Sequence, residues 1–422
     1  MIYCSHKPIE FKIEHLVKHA AARFTHPISS EPKTRKGVCT MNFDLTADQK
    51  AAQALARSIA EQELLPGVIE RDENGVFPVE IFREKIGKAG FIGLPYPKEY
   101  GGQDGDYLSY ILAIEEFSKV EAAVGISYSV CTSLFSGGVM LSDASEEIKK
   151  KYLPAVLSGQ SFASFALTEP DAGSDAAAGK TLAVRDGDVY VINGMKCFIT
   201  NGPLADVYVV YTLTDPTLGT KGMAAFIVER NTPGLSIGKI ENKMGIRAAQ
   251  VSEIHFKNVR VPIENMIAAP GKGFALAMKS LDGGRIGVAA QGLGIAKGAF
   301  EIAKNYLKER EQFGKPLCKQ QYLSFKMAEL ETEIESAQWL LYKAAMDKQE
   351  HRPYSQSAAR AKLTCTDVAM HVTTECVQML GGNGYMKEYH LERMMRDAKI
   401  TQIYEGTNEI QKLVLSGAMF RK

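Results

Sequence analysis

The hydrophobic period of the chain changes twice, and this limits its architecture more than any single residue does. From about 47 to 160 the apolar positions keep helical spacing, broken by Leu94-Pro95-Tyr96-Pro97 and Tyr100-Gly101-Gly102. From about 161 to 270 the pattern alternates. Leu182-Ala183-Val184 and Val189-Tyr190-Val191-Ile192 flank Asp186-Gly187, a hairpin signal, and Asn193-Gly194 follows as a second one. Val207 to Tyr211, Ala224 to Val228 and Val251 to Phe256 read as further strands. No ten-residue helical pattern separates them, so the spacing predicts an antiparallel sheet or barrel and not a parallel Rossmann sheet. From about 273 helices return, and Leu323, Met327, Leu330, Ile334, Ala337 and Leu341 form the stripe of a helix packed in a bundle. The expected fold is mainly α with a central β domain. The expected divisions are 1–40, a leader or extension; 41–160, helical; 161–272, β; and 273–422, a helical bundle. A length of 422 residues suits two or three domains of ~150 residues.

Lysine plus arginine number 50 and aspartate plus glutamate 49, a net charge of +1, so no global field attracts nucleic acid or an anionic membrane. No run of ~18 uninterrupted apolar residues appears, and no membrane span is expected. The seven cysteines are odd in number and contain no Cys-x-x-Cys pair. That argues against a disulfide framework or zinc ribbon and for reduced, buried thiols in an intracellular compartment. Residues 1–40 hold half of the eight histidines and a surplus of basic residues. Three readings compete for them: a transit peptide, which their glutamates and few arginines argue against; an added ordered segment; or a stretch translated ahead of an original start at Met41. His15 and His19 are spaced i, i+4, but no third ligand is nearby and no metal site is expected. Beyond Met41, Thr46 is the expected N-cap of the first helix.

Several familiar chemistries lack their signatures. There is no P-loop, no Gly-x-Ser-x-Gly and no His-Glu-x-x-His. Gly292-Leu293-Gly294-Ile295-Ala296-Lys297-Gly298 has the wrong spacing for a dinucleotide fingerprint, lies within a helical pattern, and is expected to allow close helix packing. Three other stretches are dense in polar and small residues. Phe165 to Asp175 is an irregular segment at the entrance to the β block, whose amides and hydroxyls suit a polar planar ring and phosphates. Lys196 to Gly202 ends a strand with an aromatic and a hydroxyl. In Arg396 to Gln411, Glu405-Gly406 places a carboxylate beside a residue that lets another molecule approach, although a helix N-terminus capped by Thr407 or Asn408 explains that stretch equally well.

Together FALTEPDAGSDA at 165, KCFITNG at 196, LDGGRIGVAAQGLGIAKGA at 281, KEREQFGKPL at 308, VQMLGGNGY at 377 and RDAKITQIYEGTNEIQ at 396 resemble the acyl-CoA dehydrogenase family, in the family's order and over residues 41 to 422. The resemblance implies a helical N-terminal domain, a central β domain and a C-terminal four-helix bundle. It also implies bound FAD and α,β-desaturation of an acyl-CoA thioester, with Glu405 removing the α-proton while a hydride passes to flavin N5. A backbone N–H and a flavin ribityl hydroxyl would stabilise the thioester oxygen. Some relatives carry the base just before the arginine of the LD-x-x-R motif. That position is Gly284 here, which leaves Glu405 alone.

By the same matching, Phe165, Leu167, Thr168, Gly173, Ser174, Phe198, Ile199 and Thr200 would meet the flavin. Arg310, Phe313 and Gln321, with Gln378, Met379, Leu380, Gly381, Gly382, Thr407, Asn408 and Glu409, would hold its pyrophosphate and adenosine, partly from a neighbouring subunit. Ser174, Asp282, Arg285, Tyr404 and Gly406 would meet the acyl-CoA. Phe198 stands where many members have tryptophan, as in bacterial butyryl-CoA dehydrogenases, and points to a short acyl chain. Trp339 is read as a packing residue. The resemblance further implies a homotetramer that reduces electron-transferring flavoprotein, in a bacterial cytoplasm or, less expected, a mitochondrial matrix. The alternatives are an enoyl-CoA reductase, a branched or aromatic acyl group, an oxidase, for which the chain lacks the usual C-terminal region, or a non-catalytic flavoprotein.

Overall fold

The computed structural model describes residues 43–420, so the readings of the leader and of its two histidines lie outside the described residues. Thr46–Lys422 form one compact unit. Its first helix, α1 (Ala47–Ile59), starts where the sequence places it. The Thr46 hydroxyl accepts from Gln49 N at 3.2 Å and Gln49 Oε1 accepts from Thr46 N at 2.9 Å, a complete capping box. The short helices α2 (Val68–Asn74) and α3 (Val79–Ile81) lead to α4 (Tyr107–Val120), which is buried on almost every side, as expected of a central helix. Then come α5 (Ala122–Ser129), a π-helical turn at Val130–Ser136, α6 (Gly137–Leu141) and α7 (Glu146–Leu157). The stretch Ala122–Leu141 is long and apolar enough to cross a bilayer, with a mean hydropathy of 1.4, yet 89% of that stretch is buried inside the fold.

Eight strands follow: β1 (Ala163–Ala166), β2 (Leu182–Asp186), β3 (Val189–Thr200), β4 (Val207–Leu213), β5 (Met223–Glu229), β6 (Leu235–Ile240), β7 (Val251–Pro262) and β8 (Met266–Ala268). Their order is β6-β7-β3-β2-β4-β5-β8, with β1 on β4, and the path stays open. Two expectations need correction. The sheet is mixed, because β1 and β2 both run parallel to β4. Asn193-Gly194 makes no second hairpin. It lies inside β3, where the register with β7 slips between Ile192 and Gly194. Asn193 Oδ1 accepts from Asn258 N at 2.8 Å, and a Cβ on Gly194 would lie 2.6 Å from Thr181 Oγ1, so this pair serves a bulge and a close approach. The first hairpin is real, and the Asp186–Val189 pairing puts its two-residue turn at Gly187-Asp188.

The last block is built on α8 (Gly273–Glu309), 37 residues and therefore about 55 Å long. It packs on α4 and on α10 (Ser355–Leu380), with α9 (Gln321–Gln349), α11 (Leu391–Thr401) and α12 (Asn408–Met419) completing the helical block. Its glycines allow that contact on two sides. A Cβ on Gly294 would lie 2.4 Å from Glu115 O, one on Gly298 2.3 Å from Lys119 O, and one on Gly292 3.3 Å from Cys365 O. A buried ion pair between Lys297 and Glu115 at 2.5 Å ties α8 to α4 at the same level. The α9 stripe holds only in part: Leu330, Ile334, Ala337 and Leu341 are buried, but Leu323 and Met327 are half-buried and Tyr322 and Phe325 are exposed. Trp339 stands edge-on to Tyr342 and is 38% exposed, so it is not a core residue within one chain.

Because the Gly294 hydrogen is what lets two helix backbones meet, Gly294→Ala is expected to lower stability by roughly 1–3 kcal/mol through overpacking. Thermal unfolding of the holoenzyme measures this, and an unchanged Tm would show that α4 and α8 separate freely.

Candidate active site

The Glu405 carboxylate sits on a short reversal between two helices. After α11 ends at Thr401, the chain turns through Glu405 (φ 54°) and Gly406 (φ 92°) and enters α12 behind Thr407, whose hydroxyl accepts from Ile410 N at 3.3 Å. A left-handed glutamate is a strained choice. Hydrogen bonds hold it: Arg285 Nε to Glu405 O at 3.3 Å, Lys362 Nζ to Gly406 O at 2.9 Å, Gln411 Nε2 to Gly406 O at 2.8 Å, and Asn408 N to Gln402 O at 3.0 Å.

That conformation drives the Glu405 side chain into the wall of α8. A Cβ on Gly284 would lie 1.9 Å from Glu405 Oε2 and 2.7 Å from Leu134 Cδ2, so a side chain there would have to displace the Glu405 carboxylate. The position at which some relatives carry their base thus converges, from α8, on the point that Glu405 reaches from its own turn. Both carboxylate oxygens are shut off from solvent and accept no hydrogen bond among the described residues. Burial lifts the Glu405 pKa to about 7, with the Arg285 and Lys362 charges opposing the rise. Arg285, only 6% exposed, is itself paired with Asp282 at 2.7 Å, and burial raises the Asp282 carboxyl as well.

Around this point the interior carries hydrogen-bonded polar side chains. The Tyr404 hydroxyl donates to Gln291 Oε1, and Gln291 Nε2 donates to Ala122 O at 2.8 Å. Tyr110 lies between Ser129 and Ser133, at 3.3 and 2.7 Å. The π-helical turn joins this region to the sheet: Leu134 faces Gly284, while Cys131 Sγ meets Ala163 O at 3.8 Å and Asn201 Nδ2 at 3.6 Å.

On the sheet side the two predicted loops are joined to each other. Cys197 N donates to Thr168 O at 2.9 Å, and Ser164 Oγ donates to Thr200 O at 2.8 Å. A buried ion pair holds both: Lys196 Nζ reaches Glu169 Oε1 at 2.6 Å and Leu167 O at 2.9 Å, while Glu169 accepts from Lys180 N and Thr181 N. This leaves Phe198 at φ 56° and 65% exposed, Ser174 exposed, Phe165, Thr168 and Thr200 half-buried, and open space beside Gly173. Leu167 and Ile199 turn their side chains into the core, so their backbone groups alone are available to a ligand.

The remaining predicted residues split in two. Thr407 and Glu409 adjoin Glu405, but the Asn408 side chain is turned inward, its Oδ1 accepting from Lys362 at 2.8 Å and its Nδ2 donating to Thr366 and Asp367. Arg310 lies 25 residues beyond Arg285 on the line of α8, about 37 Å away at 1.5 Å per residue. Phe313 caps a small exposed hairpin beside it, and Gln321 begins α9. Gln378, Met379, Leu380, Gly381 and Gly382 end α10 at that same remote end, where Asn383 Nδ2 bonds the Tyr306 hydroxyl at 2.8 Å. Met379 and Leu380 are buried, while Gly381 and Gly382 have nothing within 4 Å of a Cβ. One chain therefore carries two separate halves of the predicted cofactor surface. Sequence reasoning assigned no role to Glu169, Lys196, Gln291 or Lys362. The only signal was a lysine inside an otherwise apolar helical face at 362.

With this geometry in place, three comparisons assign the chain. Residues 46–160, 164–259 and 271–420 match the acyl-CoA dehydrogenase N-terminal, middle and C-terminal domain models. The chain is 53% identical over 381 residues to the short-chain specific acyl-CoA dehydrogenase of Clostridium acetobutylicum, covering 90% of this chain and all of that protein. It is 42% identical over 374 residues to the caffeyl-CoA reductase-Etf complex subunit CarC of Acetobacterium woodii, covering 88% and 98%. Its fold matches butyryl-CoA dehydrogenase from Megasphaera elsdenii with a TM-score of 0.89 at 49% identity, over 90% of this chain and all of that one. The chain belongs to the acyl-CoA dehydrogenase family. It is accordingly a flavoprotein oxidoreductase that uses FAD.

Gly284→Ala is expected to displace the Glu405 carboxylate and cut turnover by about a hundredfold, the scale of a 1 Å misplacement, while FAD content stays that of the wild type. Steady-state kinetics with flavin absorbance checks it.

Proposed function

We propose that the protein interconverts a short-chain acyl-CoA and its trans-2-enoyl-CoA, with Glu405 as the base. The observation that carries this reading is the Glu405 carboxylate itself, sealed from water with both oxygens unpartnered and pressed against a glycine wall. A buried carboxylate without hydrogen bonds is a stronger base than a solvated one, and its target supplies the missing contact. The Glu405 N–H makes no backbone hydrogen bond among the described residues and is free to donate to the thioester oxygen, on which negative charge grows as the α-proton leaves. Arg285 Nε donates to the Glu405 carbonyl and so helps to hold the turn.

The donor set of the sheet loops fits a flavin. Phe198 presents an open aromatic face, Thr168, Ser174 and Thr200 offer hydroxyls, and no side chain fills the space at Gly173. FAD, when bound, supplies the acceptor for the hydride that leaves the β-carbon. Arg310, Phe313, Gln321 and the Gln378–Gly382 segment would hold its pyrophosphate and adenosine from a neighbouring subunit, because they stand too far from Glu405 to do so within one chain. Exposed Phe313, Tyr322 and Phe325 on this end, with Leu413 and Met419 on α12 and Phe420 just after it, supply apolar surface for the expected homotetramer. The hydrogen-bonded Tyr404–Gln291 and Tyr110–Ser133 pairs lie near Glu405, and the similarity to the short-chain specific enzyme of Clostridium acetobutylicum supports a short acyl chain.

A pKa near 7 keeps both forms of Glu405 populated near neutrality, so protonated Glu405 can also return a proton to the α-carbon. The enoyl-CoA reductase direction therefore stands beside the forward one, and the relative from Acetobacterium woodii carries a reductase name. That relative's place in an Etf complex supports electron-transferring flavoprotein as the redox partner.

Anaerobic addition of butyryl-CoA is expected to bleach the flavin of the wild type, whereas Glu405→Gln keeps its FAD and loses ~10²–10⁴-fold in rate. Near-wild-type reduction in that variant sinks the assignment, and fast turnover with oxygen alone would indicate an oxidase. Because the ionised form is the base and its proton is lost near pH 7, kcat/KM for oxidation should rise with pH through about 7 and level off above it. A pH profile flat from 5.5 to 8.5 would contradict the titration of Glu405.

A further inference from the structure

The ammonium of Lys362 lies directly beneath the Glu405-Gly406 turn, on α10, and no part of the reaction just described uses it. The side chain is fully buried. Its Nζ donates to Gly406 O at 2.9 Å and to Asn408 Oδ1 at 2.8 Å, and Asn408 is held in turn by Thr366 Oγ1 at 3.0 Å and Asp367 Oδ1 at 2.7 Å. Taking an ammonium out of water is costly, and two uncharged acceptors do not offset that cost as a carboxylate contact would.

A tether alone does not explain a lysine here. Gln411 Nε2 already donates to the Gly406 carbonyl at 2.8 Å, and Asn408 N is tied to Gln402 O at 3.0 Å, so the turn has other anchors. What the lysine adds is charge. The groups facing it are Glu405 and Glu409 from the turn and α12, Asp367 from its own helix, and Arg285 from α8, and its strongest charge interaction is with Glu405. Around Glu405 the cations are Arg285 and Lys362, while its other titratable neighbours, Tyr110 and Tyr404, are neutral phenols. Arg285 is largely committed to Asp282, which leaves Lys362 as the cation near the turn that no carboxylate contacts directly.

The geometry points to Lys362 as the positioning residue of the base: from beneath the turn it holds the Gly406 carbonyl and sets the positive field in which the Glu405 carboxylate forms. The inference rests on the reading of Glu405 as the base and adds the group that governs its protonation. Burial disfavours the charged form of both groups, lowering Lys362 to about 7 while it raises Glu405 to about 7, and each charge partly offsets the other's desolvation. When Glu405 takes up a proton, the lysine loses its main counter-charge, so the two protonation states are linked and the pair titrates as a unit.

The test uses the FAD-loaded enzyme and the variants Lys362→Met, Lys362→Gln and Lys362→Arg. Protonation of Glu405 is read directly by infrared difference titration of its carboxyl band against Glu405→Gln, and independently from the acid limb of kcat/KM with butyryl-CoA. In the Met and Gln variants both readouts should move up by about one pH unit or more, with KM within about twofold of wild type, while Arg stays near wild type. Glutamine keeps a hydrogen-bond donor without the charge, so it separates tether from field where methionine fails to fold. An unmoved carboxyl titration in Met or Gln would overturn the inference, as would parallel loss of FAD and thermal stability in all three variants, which would make the lysine a purely structural group. If Glu405→Gln retains turnover while the titration still moves, the base reading fails and the coupling of Lys362 to Glu405 stands.

Discussion

An ionisable group shut away from water without a hydrogen bond raises the free energy of the fold, and that single liability at Glu405 organises the structure around it. The carboxylate can be there only because α8 presents a glycine at 284, because Leu134 closes the other side, and because a left-handed turn aims it inward. Each requirement recruits a different part of the chain. Gly284 belongs to the long helix, Leu134 to the π-helical turn of the first block, and the turn itself is tied down by Arg285, Lys362 and Gln411 from three helices. The helical blocks are thus not merely packed on one another. They share the confinement of one side chain.

The sheet solves a second problem, that of presenting polar groups without spending them on itself. The loops at 165–175 and 196–202 are tied together by the buried Lys196–Glu169 pair, whose carboxylate takes up Lys180 N, Thr181 N and the ammonium together. A buried pair of this kind contributes little net stability, but its directed hydrogen bonds specify one loop arrangement. With those bonds made internally, Phe198 and the hydroxyls of Thr168, Ser174 and Thr200 remain available to a ligand.

The block order was legible because it rests on period, and period is local. The N-cap at Thr46, the hairpin near Gly187 and the packing role of Gly292, Gly294 and Gly298 were legible for the same reason, since each depends on residues a few positions apart. Glu405 stood out through its motif. Where the sequence misled, the deciding contact was remote: Asn193-Gly194 looks like a turn until Asn258 and Thr181 are placed beside it, and the start of α9 continues the apolar stripe although Tyr322 and Phe325 beside it are exposed. Lys362 and Lys196 were invisible as a pair of buried ammonium groups because their acceptors lie 44 and 27 residues away. The parallel pairing of β1 and β2 with β4 is likewise a matter of connection order, which alternation alone does not encode.

The same confinement bears on direction. A solvated carboxylate near its ordinary range is almost wholly ionised at neutral pH and serves only as a base, whereas one lifted to about 7 is divided between its two forms. With Glu405 as the proposed base, such a group would remove an α-proton or return one with similar readiness. On that proposal the thermodynamic sense of the reaction would be set by the potential of the electron partner, and the protein's contribution would be to keep the barrier low from both sides. A titrating cation beneath the turn, its own pKa lowered by burial to about 7, suits this arrangement better than a strong ion pair would. A direct carboxylate–guanidinium contact would drive Glu405 towards permanent ionisation, while Arg285 spends its guanidinium on Asp282 and on the Glu405 carbonyl, and Lys362 binds the neighbouring backbone. The carboxylate is left charged enough to form and bare enough to react.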